Sequence, residues 1–304
     1  MPKPLFLSRR SALGALLAAA PAPLISQQQN PRLSYPPDMA GARAEVYKTA
    51  GGADLKLWMF MPEGDKGSGR RPAIVFFFGG GWTSGSPKQF EQHCRHFASR
   101  GMVAIAADYR VASRHQVKVA DCVRDAKSAV RWVRSNAGRL GIDPNRIAAG
   151  GGSAGGHLAA AAAILPGLEE AGEDLTVSSR SNALVLFNPA LVLAAVPDAG
   201  LDQSAFAKLA GRLGTEPEAV SPYHHVKRGA PPTIIFHGKA DTTVPYGTVE
   251  AFARKMAAAG NRCELEGYDG QTHGFFNYGR GNNEYFEKTL KRADQFLVSL
   301  GWLK

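Results

Sequence analysis

Gly151-Gly152-Ser153-Ala154-Gly155-Gly156 is the stretch on which the reading of this chain turns. Arg146-Ile147-Ala148-Ala149 before it is a short apolar run, and His157-Leu158 after it opens an Ala-rich stretch of helical composition. The pattern is strand, sharp turn, helix, with Gly-x-Ser-x-Gly at the turn. A serine there takes strained backbone angles. The positions two before and two after it must lack bulk, because strand and helix nearly touch. The turn lifts the hydroxyl clear of the sheet edge and aims the following amide N–H at the same space. Taken alone, the motif leaves open a phosphate-cradling turn or a merely tight one.

Outward from this point the chain alternates apolar runs with amphipathic stretches. Residues 44–47 and 55–60 read as a hairpin closed by Gly51-Gly52-Ala53-Asp54. Residues 73–78, 103–107, 183–187, 233–237 and 264–268 read as strands, the first long enough to be apolar on both faces. Helices are expected over 88–99, 249–259 and 284–300. Another is expected where Val119, Val123, Ala126, Val130 and Val133 recur at steps of four and three. The basic residues of that helix, Arg124, Lys127, Arg131 and Arg134, read as a solvated face. Such alternation predicts an α/β fold, a mostly parallel sheet covered on both sides. Residues 190–232 form an insertion between the sixth and seventh strands, with short helices around 203–213.

The 304 residues, 44% hydrophobic and 20% charged, suit one large domain with a buried core. The formal net charge is +10, but the basic residues are scattered, which argues against a nucleic-acid partner. Residues 1–26 carry Arg9-Arg10 ahead of a short apolar stretch, too short to span a bilayer. They read as a signal peptide resembling the bacterial twin-arginine type, although Ala12 stands where a phenylalanine is usual. The expectation is an exported protein, periplasmic or extracellular, with a linker at 27–43, a domain at 44–304 and no stable membrane insertion once the leader is lost. Three cysteines, Cys94, Cys122 and Cys263, without close spacing, give neither a disulfide framework nor a zinc site.

A serine hydroxyl needs a base to take its proton, and the base needs a third group to hold its tautomer. Asp241 follows the strand at 233–237 and His273 follows the last strand, completing the chain order Ser153, Asp241, His273. Asp269 is a rival acid in the same loop as the histidine, while His157 and His237 read as structural. The oxyanion of a tetrahedral intermediate needs N–H donors. Phe78-Gly79-Gly80-Gly81-Trp82 supplies Gly80 and Gly81, and the elbow supplies Ala154. Trp82 is read as a substrate contact. His93-Cys94-x-His96 lacks further ligands and reads as ordinary helix, with no metal. No dinucleotide fingerprint is present, and no cofactor is expected.

With these motifs in place the chain, from about residue 44 to its end, resembles the α/β-hydrolases. The resemblance is to the hormone-sensitive-lipase-like and BD-FAE-like esterases, the branch with acetylxylan and feruloyl esterases. Its marks are Gly-Gly-Ser-Ala-Gly-Gly-His, Asp143-Pro144-Asn145-Arg146-Ile147, Asp108-Tyr109-Arg110, Pro231-Pro232 and Thr272-His273-Gly274-Phe275. The resemblance implies an α/β-hydrolase fold with about eight strands and a serine esterase acting on short acyl esters. Those would be small-molecule or carbohydrate esters, such as acetyl or feruloyl groups of plant polysaccharide. An amide hydrolase, a prolyl-oligopeptidase-like peptidase or a formamidase, is the alternative that would share the same three residues. One position departs from the pattern: Phe78 stands where the family has a histidine before its three glycines.

Overall fold

The computed structural model describes residues 35–64, 70–196 and 209–304. The leader, most of the linker and residues 197–208 of the insertion lie outside the described residues. Eight strands form one sheet: β1 (Arg43–Ala50), β2 (Ala53–Phe60), β3 (Arg71–Phe77), β4 (Val103–Ala107), β5 (Ile142–Gly152), β6 (Ala183–Phe187), β7 (Thr233–Gly238) and β8 (Cys263–Tyr268). Their order is β1-β2-β4-β3-β5-β6-β7-β8. β1 and β2 join antiparallel, and everything from β4 to β8 is parallel. This is the α/β-hydrolase arrangement that the sequence predicts.

The unbroken apolar runs follow from burial on both faces. Ala73, Val75 and Phe77 of β3 join one core, and Ile74 and Phe76 join the other. The first core is covered by α2 (Val119–Ser135), α3 (Ala154–Ile164) and α4 (Tyr246–Ala258), the second by α1 (Glu91–Ser99) and α5 (Glu284–Ser299). The valine stripe of α2 is wholly buried, and each such side chain stabilises the fold by roughly 1.5–3 kcal/mol.

Three local readings change. β5 begins at Ile142, not Arg146. Arg71 pairs with Ile142 and Ala73 with Ile147, so 143–146 bulge out of the ladder around Pro144, which has no N–H to give. Residues 88–90 belong to a 3₁₀ turn, Pro87–Phe90, ahead of α1. Two of the four basic residues of α2 are not solvated: Lys127 and Arg131 are buried under the segment after α3, while Arg124 and Arg134 are partly exposed. Lys127 Nζ donates to Leu165 O at 2.9 Å and to Glu169 Oε1 at 2.7 Å, and Arg131 pairs with Glu169 and Glu173. In the insertion, the described elements are a short helix, Ala210–Leu213, and two 3₁₀ turns, Pro217–Val220 and Pro222–His225.

Candidate active site

Ser153 occupies the junction between β5 and α3 with φ 55° and ψ −118°. A non-glycine residue in such a conformation costs of order 1–3 kcal/mol and is held by its surroundings. Its N–H donates to Phe187 O at 2.9 Å, and its carbonyl accepts from His157 N at 3.0 Å. The bare flanks have a direct cause. A Cβ on Gly151 would lie 2.5 Å from the Gly155 carbonyl carbon, and one on Gly155 would lie 2.0 Å from Phe77 O. Strand, helix and the neighbouring strand meet here at backbone distance.

The other two residues arrive on loops at the carboxyl ends of β7 and β8. His273 Nε2 is 2.9 Å from Ser153 Oγ, and His273 Nδ1 is 2.7 Å from Asp241 Oδ2. An ionised carboxylate only accepts, so Nδ1 carries the proton toward Asp241 and Nε2 is left to accept from the serine. Asp241 is buried, and its Oδ1 takes the N–H groups of Thr243 at 2.8 Å and Val244 at 2.9 Å. Burial pushes its carboxyl up. Hydrogen bonding from His237, His273 and the Val244 N–H outweighs burial and holds it well below the usual carboxylate range. His237 Nε2 stands 3.3 Å from Asp241 Oδ2, the oxygen that also meets His273, and 2.8 Å from Val244 O. Asp269, the rival acid, points outward and pairs with Lys239 at 2.9 Å.

The glycine loop after β3 lies across the serine. Gly79 N–H donates to Gln89 Oε1 at 2.6 Å, and Gly80 O accepts from the N–H groups of Thr83 and Ser84 at 3.0 and 3.1 Å. Gly80 has φ +126°, and a Cβ there would lie 2.1 Å from Ser84 O, so the loop can close this tightly only without a side chain. Among the described residues no hydrogen bond takes the N–H of Gly80, Gly81 or Ala154. The start of the loop is held from below. The Phe78 ring is buried and stacked on Tyr109 at 4.1 Å, and Tyr109 OH donates to Phe78 O at 2.8 Å. Asp108 in turn accepts from Tyr109 N at 2.9 Å and Tyr35 OH at 2.7 Å, while Arg110 grips Asp125 with two bonds of 2.8 Å.

Trp82, expected as a substrate contact, is not among the residues that line the cleft over Ser153. Its ring is buried, its N–H donates to His157 Nδ1 at 3.2 Å, and it lines a small cavity with Lys118 and Arg212. The cleft over Ser153 has a volume of about 430 Å³ and is lined by the three glycines, Ser86, Gln89, Asn188, Thr243, His273, Phe276 and Asn277. Gln89, Asn188, Phe276 and Asn277 carry no signal in the sequence beyond the nearness of the last two to His273. His93 sits in a cage of phenylalanines with neither ring nitrogen bonded, and His96 Nε2 is 3.0 Å from Asp294. Among the described residues no group of three or more acidic, His or Cys side chains could hold a metal ion, and no helix is long and apolar enough to cross a membrane.

The family BD-FAE matches residues 57–256. An isoprenylcysteine alpha-carbonyl methylesterase of Arabidopsis thaliana is 30% identical over 72% of this chain and 53% of its own length. The probable carboxylic ester hydrolase LipM of Mycobacterium tuberculosis is 30% identical over 62% of this chain and 46% of its own. The chain thus spans about half the length of the curated relatives it matches. Among solved structures, the thermophilic esterase Est2 of Thermogutta terrifontis with butyrate bound is 59% identical, with a TM-score of 0.85 over 90% of this chain and 99% of that one. The same esterase has also been solved with propionate bound.

Proposed function

This chain belongs to the BD-FAE family, and on that premise we propose that it is a carboxylic ester hydrolase forming an acyl-enzyme on Ser153. The observation that carries the proposal is the hydrogen-bonded line Ser153–His273–Asp241 opening into a cleft. His273 Nε2 takes the serine proton as Oγ attacks the ester carbonyl. The oxygen that becomes negative is received by the N–H groups of Gly80, Gly81 and Ala154, each such donor contributing roughly 100- to 1000-fold in rate. His273 then gives the proton to the departing alcohol. Water, deprotonated by the same imidazole, attacks the acyl-serine and frees the acid. Asp241, held ionised by its N–H donors, keeps Nδ1 protonated and stabilises the imidazolium.

Short acyl groups fit this reading best, because the 59%-identical esterase holds propionate and butyrate. Acetyl groups on plant polysaccharide are the proposed natural class, and feruloyl groups are its bulkier variant. The test is a series of p-nitrophenyl esters from acetate to octanoate, run beside acetylated oligosaccharides and a p-nitroanilide. Fastest turnover of acetate to butyrate is expected. A preference for the anilide would replace the proposal with amide hydrolysis. The twin-arginine-like leader supports export of the folded chain, and accumulation of the full-length protein in the cytoplasm of its host would overturn that part.

A further inference from the structure

We infer that Gln89, acting with Asn277, is a positioning residue that ties the oxyanion loop to the loop carrying His273 across the cleft. The inference rests on the ester-hydrolase reading of the site. The oxyanion loop leaves the sheet from β3 and the histidine loop from β8. Three strands, β5, β6 and β7, lie between them, a separation of roughly 19 Å at the spacing of neighbouring strands. The catalytic geometry nevertheless requires the Gly80 N–H and His273 Nε2 to face one reacting carbon.

A chain of three hydrogen bonds spans that gap. Gly79 N–H donates to Gln89 Oε1 at 2.6 Å, Gln89 Nε2 donates to Asn277 Oδ1 at 2.9 Å, and Asn277 Nδ2 donates to Gly274 O at 2.8 Å. Gly79 immediately precedes the oxyanion donors, and Gly274 immediately follows His273. The two ends settle the direction. One end is a backbone N–H, which can only donate, and the other a backbone carbonyl, which can only accept. Each amide between them therefore has one permitted orientation. Gln89 is itself anchored. It lies in the Pro87–Phe90 turn, whose Ser86 side chain caps Lys88 N at 3.3 Å and whose Phe90 stacks on Phe76 at 4.8 Å. Gly274 is fixed a second time, its N–H donating to Asn188 Oδ1 at 3.0 Å. Both bridging side chains line the cleft.

Gln89→Met and Asn277→Leu keep the volume and remove the bridge. Each is expected to lower kcat on p-nitrophenyl acetate by about 10- to 100-fold with KM little changed, the size of effect that a small misplacement of catalytic groups produces. The double variant should be no slower than the slower single one, since either change breaks the same chain. Gln89→Glu gives an independent reading without loss of shape. Its ionised carboxylate can accept from Gly79 N–H but turns an oxygen on Asn277 Oδ1, whereas the protonated acid restores the donor. The ratio of variant to parent kcat should therefore rise as pH falls from 8 to 5. Unchanged kcat in the single variants, additive losses in the double one, or a ratio flat with pH would each overturn the inference. A parent chain that hydrolyses no ester would instead overturn the functional reading beneath it.

Discussion

The indole N–H of Trp82 donates to Nδ1 of His157 at 3.2 Å, joining the end of the glycine loop to the first turn of α3. His157 Nε2 lies 2.7 Å from Val220 O, so its proton is on Nε2 and its lone pair faces the tryptophan. Burial holds the ring neutral, with its pKa pushed down to about 4. The contact is polar and buried, and neither ring lines the cleft over Ser153.

Trp82→Phe should therefore act on stability before it acts on catalysis. The buried Nδ1 would lose its donor, at a cost of roughly 1–3 kcal/mol. The thermal midpoint should fall by about 2–4 °C for each kcal/mol in a chain of this size. Ester hydrolysis should drop far less than the roughly 100- to 1000-fold of a lost oxyanion donor. A loss of that larger size, with the midpoint unmoved, would return Trp82 to the substrate.

Ser153→Ala and His273→Ala are each expected to lower kcat by about a million-fold, because the three groups act as a unit. Asp241→Asn should cost of order 10⁴-fold by favouring the wrong imidazole tautomer. Asp269→Asn should leave the rate near that of the parent, since its carboxylate is on the surface with Lys239. Steady-state kinetics on one ester checks all four, and the greater loss in Asp269→Asn would show that the acid has been misassigned.

Phe78→His restores the residue that the wider family carries. The Phe78 ring is buried, stacked on Tyr109, and packed where a Cβ on Gly85 would touch it at 2.6 Å. An imidazole would enter this apolar slot unpaired, costing roughly 1–3 kcal/mol, while the backbone donors beyond it stay. A lower melting temperature with activity kept is the expected result. An unchanged or higher midpoint would reveal polar partners for the ring.

His93 gives the fold a pH dependence. Burial among Phe90, Phe187, Phe286 and other rings pushes its pKa down to about 3, far below the ordinary imidazole value, and neither nitrogen is bonded. Below about pH 6.5 the unfolded chain binds a proton that the folded chain refuses, so stability falls as pH drops from there toward 3. His157 acts in the same direction down to about 4. Asp108, raised to about 6 chiefly by burial, opposes them between about 4 and 6, because the folded state there binds the extra proton. His115 and His224, lowered chiefly by burial, act with the two buried histidines, so the balance is a net loss toward acid. His93→Phe should shrink the difference between melting temperatures at pH 7.5 and pH 5, and an unaltered difference would assign the acid sensitivity elsewhere.

Much of this site was legible in the linear chain because its requirements are local. Ser153 needs a strained turn, and the turn needs Gly151 and Gly155, so the demand and its solution lie within five residues. Asp241 and His273 were readable from their places after the last two strands, since a parallel sheet brings every strand's carboxyl end to one edge. The sheet itself was readable because strands buried on both faces must be apolar throughout. The sequence preferred Asp241 to Asp269 for its place after the strand at 233–237; in the structure His273 Nδ1 meets Asp241 Oδ2, and Asp269 pairs with Lys239. Lys127 and Arg131 looked solvated because nothing in α2 announces that the segment after α3 folds back over them with Glu169 and Glu173. Trp82 looked like a substrate contact because its neighbours are the oxyanion glycines. Its direction is decided by packing against His157, 75 residues away. Gln89 and Asn277 were silent for the same reason. Their meaning is a hydrogen bond across 188 residues of chain, and local propensity carries no information about which distant amide a side chain will meet.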